Sequence, residues 1–274
     1  MDKKILFLDL DGTLLNDQKQ ITAGNRGAIE KAIALGHRVV VTSGRPLRSA
    51  LVQAERLGLT GDGCYVIAYN GAVIYDCSQK REIFRRTLRM QDLYQVFAEA
   101  RRRNVHIQAY DAGDTVVIEN CCDPAVAQRY CEAIDLDFRV TKDIRTGLTD
   151  PSVKALMIDF QDRAPVEAME QWVLENMKGK VDCFFSSRYY LEVVPVGMNK
   201  GEAVKEMCKI LSIPLENTRA AGDEANDITM IQAAGTGVAM GNAVSAAKEA
   251  ADYVTERDNN HDGIAEVIER FLFA

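Results

Sequence analysis

Apolar residues run unbroken from Ile5 to Leu8 and resume at Leu10, with Asp9 and Asp11 cutting in before Gly12. A short apolar run closed by a glycine turn predicts a buried central strand over residues 4–10. Thr22 is placed to cap a helix that runs to about Leu35, with Gly36 ending it. HRVVVT (37–42) predicts a second strand, Pro46 opens a second helix, and CYVIAY (64–69) predicts a third strand. The resulting β-α-β-α-β order is that of a doubly wound parallel sheet.

The pattern then changes. Residues 72–75 and 82–86 read as a hairpin, followed by a helix over 90–103 and strands over 105–110 and 115–119. A helix over 124–135, a strand over 153–160, a helix over 164–177 and strands over 181–186 and 189–194 complete this stretch. Such a mixture of paired strands and helices predicts an α+β insert. Alternation returns after Pro195, with a helix over 200–212, a strand over 218–221 ending in GDEAND, and a closing helix over 263–272. The predicted fold class is therefore α/β, a Rossmann-like core in two parts (1–84 and 195–274) with an inserted α+β domain over 85–194.

Composition narrows the partners. The chain has 274 residues and a formal net charge of −7, which argues against non-specific binding to nucleic acid or an anionic membrane. The N-terminal apolar run is short and holds an aspartate, so it is neither signal peptide nor membrane span. Seven cysteines at irregular spacing, with no C-x-x-C, point to reduced thiols in a cytoplasmic protein rather than a zinc ribbon. The three histidines are too scattered to suggest a metal site. The basic stretch over 86–103 reads as a solvated helix face.

Four polar groups fall where core strands end or core helices begin: Asp9 with Asp11, Ser43, Lys200, and Asp223 with Asp227. In an open α/β sheet the carboxyl ends of the strands form the ligand crevice, so these distant positions can converge. Asp9, Asp11 and Asp223 offer hard oxygen ligands suited to Mg²⁺, which would offset the cost of clustering carboxylates. Taken singly, Asp11-Gly12 is a turn and Asp223 a helix cap; taken together they make a site.

The segments Asp9-Leu10-Asp11-Gly12-Thr13-Leu14, Ser43-Gly44-Arg45-Pro46, Asn199-Lys200-Gly201 and Gly222-Asp223-Glu224-Ala225-Asn226-Asp227 resemble, in order and spacing, the four signature motifs of the haloacid dehalogenase-like superfamily. Asn70-Gly71-Ala72, the stretch from Gly237 to Ala243 and His261-Asp262-Gly263 resemble its Cof-type, sugar-phosphatase-like branch, whose large α/β cap (type C2B) sits between the second and third motifs. The resemblance implies Asp9 as nucleophile and Asp11 as general acid and base. It implies Mg²⁺ held by Asp9, the Asp11 backbone carbonyl and Asp223, with Asp227 positioning a metal-bound water or Lys200. Ser43, the amides of Gly44 and Leu10, Lys200 and Asn226 would bind the phosphoryl group. Arg45 and Asn70 would touch the substrate. Ser43 stands where many relatives have threonine and keeps the hydroxyl.

The function this implies is a Mg²⁺-dependent phosphatase of small phosphate monoesters, with sugar phosphates leading, acting through an aspartyl-phosphate. Two alternatives are a phosphotransferase or phosphomutase, and a phosphatase of phosphorylated cofactors such as pyridoxal phosphate or FMN. A non-catalytic binding module would need a damaged motif, and none is present.

Overall fold

The N-terminal apolar run becomes β1 (Ile5–Leu8), buried at every position. The structure, a computed structural model, describes residues 3–273. In chain order β1 is followed by α1 (Ala23–Ala34), β2 (Arg38–Thr42), α2 (Leu47–Arg56), β3 (Cys64–Ala68), β4 (Val73–Asp76) and β5 (Arg81–Arg85). Next come α3 (Met90–Arg103), β6 (His106–Tyr110), β7 (Val116–Glu119), α4 (Pro124–Ile134), β8 (Phe138–Thr141) and α5 (Ile144–Gly147). They lead to β9 (Ala155–Ile158), α6 (Ala164–Asn176), β10 (Val181–Ser187) and β11 (Tyr190–Pro195). The chain ends with α7 (Lys200–Leu211), β12 (Thr218–Gly222), α8 (Ile228–Ala233), β13 (Thr236–Ala239), α9 (Ser245–Ala250), β14 (Tyr253–Val254) and α10 (Gly263–Phe271).

One compact unit takes the chain up to Phe84 and again from Asn199; the other takes Arg85–Met198. Residues 195–198, assigned to the core by sequence, fall with the insert because β11 stays paired to Val181 as far as Pro195.

The first unit is built on an eight-stranded sheet in the order β14-β13-β12-β1-β2-β3-β4-β5. Neighbours are parallel from β14 to β3, and β4 runs antiparallel to β3. Successive strands move outward from β1 through β2 to β3, while β12, β13 and β14 move outward the other way. The order reverses between β1 and β12, which is where such sheets open a crevice. Alternation along β1 sends Ile5 and Phe7 into a cluster with Val40, Ile67, Ala203, Met207, Ala220 and Met230. Leu6 and Leu8 point to the opposite face and are equally buried. A strand covered on both faces has no polar side, which is why this run reads as continuous rather than alternating.

Helices α1 and α10 pack together and cap each other. Thr22 does sit at the start of α1, but its side chain caps no helical amide. Its hydroxyl instead donates to Asp262 Oδ1 (2.5 Å), and the same oxygen accepts the Asn25 amide (3.2 Å). In return Asn25 Oδ1 accepts the Ala265 amide at 2.8 Å.

The second unit has its own six-stranded sheet, in the order β10-β11-β9-β6-β7-β8. It is antiparallel apart from the β7–β8 pair. One face carries buried apolar residues such as Ile107, Met157 and Val193. The other carries polar groups: Lys154 pairs with Glu192 at 3.0 Å, and the hydroxyls of Tyr110 and Tyr130 meet at 2.6 Å. Among the described residues no helix is long and apolar enough to cross a membrane.

Candidate active site

Leu8 is level with Val41 on β2 and with Ala221 on β12. One step further the Asp9 amide donates to the Ala221 carbonyl at 3.1 Å, and the chain then leaves the sheet. The Leu15 amide returns to the Leu10 carbonyl at 2.8 Å, closing a tight loop over residues 10–15. Gly12 takes φ +86° inside this loop, and a Cβ there would run into the Asp223 carboxylate. Only glycine meets both demands without strain. The neighbouring Thr13 hydroxyl donates to Asp223 Oδ1 at 2.7 Å, tying the loop to the end of β12.

The carboxylates of Asp9, Asp223 and Asp227 each place an oxygen within 4.8 Å of the others. Lys200, the first residue of α7 and 0 % exposed, reaches in beneath them. Its ammonium donates to Asp9 Oδ1 at 2.5 Å and to Asp227 Oδ1 at 2.6 Å. Asn199 fixes the base of this helix, its Oδ1 accepting the Glu202 amide at 2.9 Å. Asp227 spends its second oxygen on the amides of Asp223 and Glu224, both at 3.0 Å. Among the described residues, Asp9 Oδ2 and Asp223 Oδ2 take no hydrogen bond. Three buried carboxylates share one ammonium, so the cluster carries excess negative charge and two oxygens without donors. That donor set fits a hard divalent cation.

The electrostatics follow. Burial, helped by the charges of Asp227 and Asp223 and opposed by Lys200, pushes Asp9 up to about 8. Burial likewise raises Asp223 to about 6, against the Thr13 hydrogen bond. Lys200 shifts upward: burial opposes its charge, but Asp9 and Asp227 outweigh that and keep it protonated.

Asp11 is not part of this cluster. Burial pushes its carboxyl upward, but the hydrogen bonds and charges of Lys19 and Arg45 outweigh that and hold it below the usual range. Arg45 forks onto it, Nε to Oδ2 and Nη2 to Oδ1, each at 3.0 Å. Lys19 Nζ adds a third contact to Oδ1 at 2.8 Å.

The turn after β2 brings in Ser43 and Gly44. The Ser43 amide donates to the Ile67 carbonyl (2.8 Å), its own carbonyl accepts the Asn70 amide (3.0 Å), and its Oγ accepts the Arg45 amide (3.2 Å). Tyr69 and Asn70 both hold φ +54°, consecutive left-handed residues that fold Asn70 back under the turn. Asn70 is 3 % exposed; its Oδ1 accepts from Asn226 Nδ2 at 3.3 Å, and its own Nδ2 is buried with no partner among the described residues. A side chain on Gly44 would collide with this carboxamide.

The structure thus places Asp9, Asp223, Asp227 and Lys200 in one hydrogen-bonded cluster, Asp11 with Arg45 beside the same loop, and Ser43, Gly44, Asn70 and Asn226 around one turn. Leu10 is buried in the loop. Three contributors were not singled out by sequence: Thr13, Lys19, and Asn242, whose Nδ2 donates to the Gly12 carbonyl at 2.8 Å. Thr13 and Asn242 lie inside quoted motifs and could have been weighed there; nothing around Lys19 marks it.

Residues 6–268 match the family of haloacid dehalogenase-like hydrolases. A 5-amino-6-(5-phospho-D-ribitylamino)uracil phosphatase of Bacillus subtilis is 30% identical, covering 99% of this chain and 97% of that protein. A solved haloacid dehalogenase-like hydrolase from Bacteroides thetaiotaomicron superposes with a TM-score of 0.87 at 34% identity, covering 98% of this chain and 99% of that one. A sugar phosphatase of HAD subclass IIB shares the fold, with a TM-score of 0.81 at 22% identity, covering 99% of this chain and 100% of that one.

Proposed function

This chain belongs to the haloacid dehalogenase-like hydrolases, and from that premise we propose that it is a Mg²⁺-dependent phosphatase of small phosphate monoesters carrying a sugar or polyol arm. The observation that supports the chemistry is the cluster itself: two donor-free carboxylate oxygens, on Asp9 and Asp223, at the carboxyl ends of adjacent parallel strands. Mg²⁺ would be held by Asp9, Asp223 and the Asp11 carbonyl, and when bound supplies the positive charge that lets an anionic nucleophile approach a phosphate dianion.

The protein's own groups do the rest. The Asp9 carboxylate attacks phosphorus and forms an aspartyl-phosphate as the ester P–O bond breaks. Lys200 keeps Asp9 oriented, favours its ionised form and lends charge to the phosphoryl oxygens. Ser43, the amides of Leu10 and Gly44, and Asn226 donate to those oxygens. Asn70 Nδ2, buried without a partner among the described residues, would join them, since a phosphoryl group would relieve the cost of leaving it unpaired. Asp11, whose ionised form Lys19 and Arg45 favour, takes up a proton as substrate binds and gives it to the departing oxygen, then takes one from the water that cleaves the aspartyl-phosphate. Asp227 holds Lys200 and the loop after β12 in place.

Sugar phosphates lead as substrates on likeness of fold. The ribityl-phosphate substrate named for the Bacillus subtilis relative favours a polyol phosphate arm as the shared element. Phosphate release from a panel of sugar, polyol and cofactor phosphates tests this, with Mg²⁺, with EDTA, and in Asp9→Asn. Release that needs Mg²⁺ and disappears in the variant is expected. Phosphoryl transfer to a second hydroxyl without free phosphate would make the chain a phosphotransferase, and release surviving Asp9→Asn would overturn the mechanism.

A further inference from the structure

The loop between β13 and α9, residues 240–244, carries none of the reacting groups, yet it holds both segments that would supply metal ligands. Its backbone donors are spent on fixing its own shape and the end of β12. The Met240 amide donates to the Gly222 carbonyl (3.0 Å) and the Val244 amide to the Asp223 carbonyl (2.9 Å). The Ala243 amide closes the turn on the Met240 carbonyl (2.8 Å), and the Gly241 amide donates to Thr255 Oγ (2.8 Å). Thr255 is buried, and its hydroxyl passes on to the Arg257 carbonyl at 2.6 Å. A loop whose amides are committed in this way has little freedom to move.

From this frame Asn242 reaches the first motif, its Nδ2 donating to the Gly12 carbonyl at 2.8 Å. Its Oδ1 accepts the Asn259 amide at 3.1 Å, which fixes the carboxamide from the other side. Asn259 is buried and grips the same first-motif loop further along, Nδ2 donating to the Leu15 carbonyl (3.1 Å) and to Asp17 Oδ1 (3.2 Å). The Gly12 carbonyl is one peptide on from the Asp11 carbonyl, and the next residue, Thr13, donates to Asp223. Asn242 itself is exposed, and one hydrogen bond open to water adds little to stability. Its consequence is geometric: the loop that carries the Asp11 carbonyl is tied to the same five residues that hold Asp223.

We propose that Asn242 is a positioning residue for the cation site: through Gly12 it sets how closely the Asp11 carbonyl stands to the Asp223 carboxylate, and so fits the site to Mg²⁺ rather than to a larger divalent ion. This rests on the Mg²⁺ site proposed above. Mg²⁺ demands near-ideal octahedral surroundings with ligands at about 2.0–2.1 Å, whereas Ca²⁺ accepts irregular ones at about 2.3–2.6 Å. A ligand left slack therefore costs Mg²⁺ more than Ca²⁺. Groups that hold metal ligands in place govern affinity by about ten-fold or more. A bias between the two ions is a signature that a merely structural role would not produce.

The experiment titrates the full chain with MgCl₂ and with CaCl₂ by calorimetry, without substrate. Asn242→Ala is expected to weaken Mg²⁺ binding roughly ten-fold and Ca²⁺ binding less than about three-fold. Asn25→Ala serves as the comparator: it loosens the same unit at the contact between α1 and α10, and should leave both affinities within about two-fold of the wild type. Unchanged Mg²⁺ affinity in Asn242→Ala, equal losses for the two ions, or the same loss in Asn25→Ala would overturn the proposal. Asp223→Asn separates the two levels. Mg²⁺ uptake that is absent from the wild type, or that survives Asp223→Asn, removes the cation site and this inference with it. Uptake lost in Asp223→Asn, with no bias in Asn242→Ala, sinks only the role of Asn242.

Discussion

Asp9 and Asp11 stand two residues apart in opposite surroundings. Asp9 is buried among other carboxylates and pushed up to about 8, while Asp11 is drawn down by Lys19 and Arg45 despite its partial burial. A metal ligand must be deprotonated, so Mg²⁺ held as proposed would compete with protons on Asp9 and on Asp223, itself raised to about 6. Both folded-state values lie above the ordinary carboxylate value of 3.8. The metal-free fold therefore holds protons that the unfolded chain has already released, and these groups lower its stability as pH rises from about 4 to about 8. Mg²⁺ affinity is expected to rise across the same window. Thermal unfolding with and without Mg²⁺ checks this: the upward shift in midpoint should be larger at about pH 8.5 than at about pH 5.5, and a constant or shrinking shift would refute it. At this scale the sequence exposed what motif spacing can expose, namely Asp9, Lys200, Asp223 and the Ser43 turn. It hid whatever depends on a partner far away. Thr13 matters through Asp223, 210 positions on, and Asn242 through Gly12, 230 positions back.

Between elements, α1 and α10 show the same limit. Thr22 has the right chemistry and the right place for a cap, yet the capping of α1 comes from Asp262 at the start of α10. Asn25 of α1 repays the contact on the Ala265 amide, so each helix satisfies an amide at the same position of the other. Local patterning cannot see a reciprocal arrangement spanning 240 residues. Asn25→Ala should cost about 1–2 kcal/mol, because the Ala265 amide loses its acceptor in a buried setting. Asp262→Ala should cost a similar amount, and the double variant less than the sum, since the two contacts hold one helix pair together. Urea denaturation midpoints measure all three; strict additivity would show the contacts to be independent. In the insert, β8 and α5 escaped notice for a plainer reason. β8 is a half-exposed edge strand and α5 a single turn capped by Asp143, and neither carries a long apolar period.

Over the whole molecule, the two units differ in how far apart in sequence their contacts lie. The insert is one continuous segment, and every pairing in its sheet joins residues between His106 and Pro195. The core sheet is interrupted at its centre: Ile5 of β1 lies beside Thr218 of β12, 213 positions later. A chain emerging from the ribosome therefore completes the insert while β1 still lacks one of its two neighbours. Interrupted synthesis gives the measurement. Nascent chains stalled with about 200 residues outside the ribosome should show a protease-resistant insert but no tight Mg²⁺ uptake, which appears only once β12 and the loop after it have emerged. Asp9 is made almost first and gains its partners almost last, so the proposed metal binding would double as a timestamp for the end of folding.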